Sequence, residues 1–179
     1  FDGDSDDGDE VDSADTGNGE SGGDTDDTPA TNPGVIAQAD AQIKAVNPDA
    51  MIVWAGGRKA DGSALSAPSD ADTWDFDAVA LVNNALTGIW DISLQGGRST
   101  IEETANPPLD VLFRDLTDVA MSVGQAWSLA VASGLSGPFT SWVLFESLIP
   151  SLPHAKFIFL LQSGQYLGVD TETGEVAYQ

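Results

Sequence analysis

Cysteine is absent from this chain, histidine occurs once, and lysine and arginine together number six. Without a thiol there is no disulfide framework, thiolate zinc site, iron–sulfur cluster or cysteine nucleophile, and a lone imidazole leaves little scope for metal or acid–base chemistry. Six scattered cations cannot build the basic stripe that neutralises phosphates, so no nucleic-acid partner is expected, and anionic membrane surfaces are disfavoured for the same reason. No apolar run reaches the roughly 18 residues of a membrane-crossing helix, so no transmembrane segment is expected. The longest candidate, Phe157 to Leu161, has strand length. Nothing in the composition asks for a cofactor or a metal ion.

Carboxylates are what the chain has in excess: 29 Asp and Glu bring the formal net charge to −23 over 179 residues. Twelve of those acids fall between Asp2 and Asp27, where there is no base and little apolar besides Phe1 and Val11. Such a segment cannot bury enough apolar surface to offset the entropy of ordering, so residues 1–34 are expected to form a disordered acidic linker, extended by self-repulsion. The remaining residues hold seventeen acids and all six bases, a net −11, together with all five tryptophans. A chain of that size buries about 68–70% of its unfolded surface, enough for one ordinary domain or two small coupled units. The first residue is Phe1 rather than Met, and an acidic Gly/Ser/Thr-rich leader before a cysteine-free domain resembles exported bacterial lipoproteins after processing. That resemblance implies a periplasmic, outer-membrane-surface or extracellular location, with any lipid anchor upstream of residue 1.

Helical spacing of Val35, Ile36, Ala39, Ile43 and Val46 predicts a short amphipathic helix that ends at Asn47-Pro48. Ala50 to Arg58 reads as a strand, and residues 60–72 as a loop rich in Gly, Ser, Pro and Asp. Thr73 to Val82 sets Trp74, Phe76, Ala78 and Ala80 on one face and Asp75 and Asp77 on the other. A turn at Asn83-Asn84 leads to the period-two strand Ile89 to Leu94. The pattern then recurs. After Asn106-Pro107-Pro108, apolar residues at three- and four-residue intervals predict a long helix over Leu109 to Ser133, stopped at Gly134. Strands follow at Phe139 to Leu148, Lys156 to Leu161 and Tyr166 to Asp170, and Glu175 to Tyr178 finishes the chain.

The expected fold is therefore α+β: two helix-plus-three-strand units, residues 35–106 and 107–179, with antiparallel sheets. Met51 to Trp54 and Phe157 to Leu161 are apolar at consecutive positions, which predicts that the units pack together or share a continuous sheet. The run Lys156-Phe157-Ile158-Phe159, then Tyr166-Leu167-Gly168-Val169-Asp170-Thr171-Glu172-Thr173-Gly174-Glu175-Val176, resembles the end of a PepSY-type domain. Physically, Asp170 can accept bonds from turn amides and Gly174 can take positive φ. Domains of that family are commonly exported, lack catalytic residues, and modulate peptidases or organise envelope proteins. The resemblance implies such a role for residues 107–179.

Few constellations carry chemistry. Asp2-Gly3-Asp4-Ser5-Asp6-Asp7-Gly8-Asp9 has the alternation of a calcium loop but no Glu at its twelfth position, which makes it a solvated linker. His154, between Pro153 and Ala155, is expected in a surface loop. Gly134-Leu135-Ser136-Gly137-Pro138 lacks the final glycine of a nucleophile elbow. Gly56-Gly57-Arg58-Lys59 and Gly96-Gly97-Arg98 could hold an anion, but neither fits a phosphate loop, and turns are expected there. Asp75, Asp77, Asp91 and Glu102-Glu103, with Trp74 and Trp90 nearby, could line a groove of the kind a two-carboxylate glycosidase needs. An acidic outer sheet face beside core aromatics explains the same residues more simply. No catalytic, cofactor-binding or metal residue is assigned, and an enzyme is not expected. The composition favours recognition of a protein or peptide by a sheet face or edge strand. A carboxylate-pair hydrolase and a structural envelope or filament subunit are the alternatives, and no oligomeric state follows from the sequence.

Overall fold

The computed structural model describes residues 32–108, 111–134, 137–149 and 153–178. Most of the expected acidic linker, with its calcium-loop-like start, lies outside the described residues. Asn32 to Gly34, expected within that linker, instead open the first helix, α1 (Asn32–Val46). Its buried side chains Val35, Ile36, Ala39 and Ile43 form the stripe expected of an amphipathic helix.

Four strands follow: β1 (Ala50–Arg58), β2 (Thr73–Val82), β3 (Ala85–Gln95) and β4 (Arg98–Glu103). Next come α2 (Val123–Ala132) and a second set: β5 (Phe139–Glu146), β6 (Ala155–Leu161), β7 (Tyr166–Asp170) and β8 (Val176–Tyr178). All eight strands form one antiparallel sheet in the order β4-β3-β2-β1-β5-β6-β7-β8. The α+β class and the continuous sheet match expectation, whereas the strand count does not. Each helix precedes four strands rather than three, because β4 and β8 pair as edges. Glu102 and Glu103, expected in a loop, are in β4.

Turn chemistry sets the registers of the two tight hairpins. Asn83 and Asn84 both have positive φ (53° and 63°), as do Gly96 and Gly97 (55° and 74°). Each pair is the centre of a two-residue connection, β2 to β3 and β3 to β4, whose twist matches that of the strands.

The long helix expected over Leu109 to Ser133 is shortened to α2. Val111 bridges to Ser147, Leu112 donates its N–H to Glu146, and a single 3-10 turn spans Leu116–Asp118. Asp115 caps that turn by accepting from the N–H of Thr117. The true helix start is Ser122, whose hydroxyl accepts from Gln125 N–H while the Gln125 side chain accepts from Ser122 N–H. The apolar residues of 111–121 are spent on two surfaces. Val111 and Phe113 pack on one face of the sheet, and Leu116, Val119 and Met121 on the other.

Both helices cover the same face. One cluster of buried side chains unites α1, α2 and the inward residues of both halves, including Phe76, Trp90, Trp142, Leu144, Phe157 and Leu167. α2 anchors through Trp127, whose ring lies 4.5 Å from Phe139 and 5.3 Å from Phe159 between centroids. Each such side chain contributes about 1.5–3 kcal/mol by leaving water. Gly57 is required here: a Cβ at that position would lie 2.6 Å from the Trp142 indole.

Candidate functional site

Among the described residues, Val111 and Phe113 cross the face away from the helices and pack against Val53, Val79 and Ile89. Period-two alternation decides what the rest presents. Phe76, Ala78, Trp90, Ile92 and Ile101 turn to the core, so Asp75, Asp77, Asp91, Ser93, Thr100 and Glu102 turn outward and line a shallow open cavity of about 380 Å³. Asp77 stands opposite Asp91, and Asp91 opposite Glu102, so three carboxylates occupy neighbouring positions across β2, β3 and β4. Like charges directly opposite are destabilising. Asp77 is half-buried, and its pKa is pushed up to about 6 by burial and then by the charges of Asp91 and Asp75. Asp75 itself is engaged: Arg58 Nε donates to it at 3.1 Å and Ser93 Oγ at 2.9 Å.

The acids line this outer face while Trp74 and Trp90 do not join them, which is the simpler arrangement expected, an acidic outer sheet face beside core aromatics. Trp74 and Trp90 belong to the helix-covered core. The outward aromatic is Trp54, brought to this face by a register shift in β1 between Ile52 and Trp54. Its ring lies along the strand over Gly56, where a Cβ would come within 2.6 Å of it. Trp54 pairs with Asp77 on one side and Phe145 on the other, and Gly56 with Asp75 and Val143. The indole is thus the boundary between two surfaces. On one side is the acidic row; on the other are the half-buried, outward Val143 and Phe145 of β5 and Ile158 and Leu160 of β6. No sequence pattern marks Trp54 as a residue of this face. The bulge that redirects it has only Gly56-Gly57 as a nearby sign.

A second polar cluster closes the end of the sheet where β7 finishes. Asp170 is 5% exposed. It accepts from Lys156 Nζ at 2.8 Å, from the N–H groups of Glu172 and Thr173 at 3.0 and 2.9 Å, and pairs with His154 Nδ1 at 3.0 Å. Burial alone would raise its pKa, but bonds from Lys156, Thr173, Glu172 and His154 outweigh burial and hold the carboxyl far below the usual range. Arg114 links the same turn to β5 by bonding the buried Glu146 at 2.9 Å and Glu172 at 3.3 Å. His154 lies in the loop before β6, as expected, but is half-buried against the Asp170 carboxylate. The expected turn-capping role of Asp170 and the positive φ of Gly174 (71°) are both present.

The two basic glycine spots are turn and strand structures: Gly96-Gly97 makes a hairpin, and Arg58 is paired with Asp75. Ser136 lies outside the described residues. Among the described residues no group of three or more His, Cys, Asp or Glu side chains could hold a metal ion, and no helix is long and apolar enough to cross a membrane.

No family model matches the chain, so none supports the PepSY-type resemblance of its last strands. No curated protein matches it either. The chain is similar to a solved structure described as a "putative lipoprotein" (CD1622) from Clostridium difficile 630. The TM-score is 0.49 at 15% sequence identity, over 80% of this chain and 91% of that one.

Proposed function

We propose that this chain is a non-catalytic, exported binding protein that captures a cationic, partly apolar protein or peptide segment on the open face of its sheet. One observation carries the reading: the helices protect a single face, and the other sets a half-buried apolar strip beside a row of unneutralised carboxylates, with Trp54 between them. A ligand alternating basic and apolar side chains would meet charge on one half and dry surface on the other. The acidic leader would act as a tether that keeps the domain clear of its attachment surface and discourages nonspecific association. The PepSY-like final hairpin and the export-like composition support the same class of role.

The test is fluorescence anisotropy with a labelled peptide alternating Lys and Val, against a Glu/Val counterpart. The Lys/Val peptide is expected to bind, and Asp91→Lys or Val143→Glu is expected to weaken it at least tenfold. Both variants keep the acidic leader, so unchanged binding would assign the interaction to that leader and refute the face.

One observation favours a second reading, the carboxylate-pair hydrolase. Asp77, with a pKa near 6, could remain protonated as a general acid beside the carboxylates of Asp75 and Asp91. That reading predicts turnover of an oligosaccharide, abolished by Asp77→Asn, whereas the binding reading predicts none.

A further inference from the structure

β4 is an edge strand, so among the described residues one row of its backbone N–H and C=O groups has no partner strand. The other edge, β8, is only three residues long. On the open face β4 presents Arg98, Thr100 and Glu102 at alternate positions, opposite Gln95, Ser93 and Asp91 of β3. Lys44, Arg58, Arg114 and Lys156 each form an ion pair; Arg98 has none among the described residues. The carboxylate row Asp77, Asp91, Glu102 runs out at this edge without meeting a cation.

We propose that β4 pairs antiparallel with β4 of a second copy of this chain, about a two-fold axis through Thr100. In this register Thr100 faces the partner's Thr100, Ser99 faces the partner's Ile101, and Arg98 faces the partner's Glu102, twice by symmetry. Residues 98, 100 and 102 share one face of the strand, so this register keeps the open faces of both copies on one side and their helices on the other. Each carboxylate row is then extended by an arginine at the position where it now ends, an opposite-charge pair directly across the ladder. A shift of one residue would set Arg98 against Glu103 or Ile101, and the side-chain alternation would place the helices of the two copies on opposite sides of the joined sheet. The contact is isologous and consumes both β4 edges, so assembly closes at a dimer. The chain's net charge of −23 opposes association. At physiological ionic strength that repulsion is screened beyond about 8 Å, whereas the contact pairs lie inside that distance. Dimerisation needs no ligand on the open face.

Sedimentation equilibrium of the full chain, up to about 1 mM, reads association down to the weakest affinity that β4 pairing could sensibly have. The wild type is expected to dimerise. Arg98→Glu and Glu102→Arg are each expected to weaken self-association at least tenfold, because each sets like charges opposite at both pairs. An equimolar mixture of the two variants is expected to recover dimers, because both cross-pairs then become opposite in sign. Positions 98 and 102 are exposed, so far-UV spectra should not change. A monomeric wild type, single variants that dimerise like the wild type, or a mixture that stays monomeric would each overturn the proposal.

Discussion

Replacing Asp77 with Asn should stabilise the protein, and only where the carboxyl would otherwise be ionised. In the folded chain its pKa rises from 3.8 to about 6, first through burial and then through Asp91 and Asp75. Each tenfold change in proton affinity corresponds to about 1.36 kcal/mol, so ionisation costs the folded state about 3 kcal/mol at neutral pH before solvent relaxation. Asp77 retains partial exposure, which lowers the realistic figure to about 1–3 kcal/mol. The sign follows from linkage. A carboxyl with a raised native pKa stabilises the fold most below 3.8, and that contribution is lost as pH rises through about 6. Asp77→Asn removes the loss, since the amide resembles the protonated acid in shape and cannot ionise. Urea unfolding at pH 7.5 should therefore show a gain of about 1–3 kcal/mol over the wild type, or about 3–10 °C in Tm, fading toward zero near pH 4. A gain independent of pH, or no gain at pH 7.5, would mean that the acidic row is not electrostatically strained and would refute the reasoning.

Asp170→Asn should act in the opposite direction. Its carboxylate is held by Lys156, His154 and two turn amides, so the substitution is expected to cost about 2–4 kcal/mol at pH 7. Because the native pKa is lowered from 3.8, this deficit should shrink as pH falls below that value, when unfolded wild-type chains begin to gain a proton; denaturant titrations at pH 7 and pH 3 measure it. Gly57→Ala should cost about 1–3 kcal/mol through overlap with the buried Trp142 indole, 2.6 Å from the added methyl. A loss below about 0.5 kcal/mol in urea unfolding would show that the ring can move aside.

The elements whose burial pattern repeats along the chain were legible in the sequence. β1 and β2 have the expected bounds, and α1 gains three residues at its start; one buried face imposes period 3.6 on α1 and largely period two on β2, whereas β1 shows as an apolar run because both its faces are covered. β4 was not legible. Arg98-Ser99-Thr100-Ile101-Glu102-Glu103 offers a single core residue, Ile101, and an edge strand exposes nearly everything else. The extent of α2 departs from the helical spacing for a different reason. Leu112, Phe113, Leu116 and Val119 have helical spacing, but the chain there wraps round the sheet and divides those side chains between two faces. Ser122 with Gln125 marked the real helix start. At the candidate site, alternation already placed Asp75, Asp77, Asp91 and the core tryptophans on opposite faces. What the sequence did not display was Trp54, whose orientation depends on a bulge decided by pairing with β2.

Seven ladders join the eight strands, and six of them connect neighbours in the chain; only β1 with β5, paired from Trp54 to Arg58, joins the halves. Two local meanders are thus stitched along one late ladder, continued by the isolated Leu65–Phe139 bridge, and this seam cannot zip until the chain beyond residue 138 has emerged and its loop-closure entropy has been met. At high concentration during refolding, the same seam can be satisfied by the β5 meander of another molecule. Segment exchange at β1 and β5 is the misassembly this topology invites.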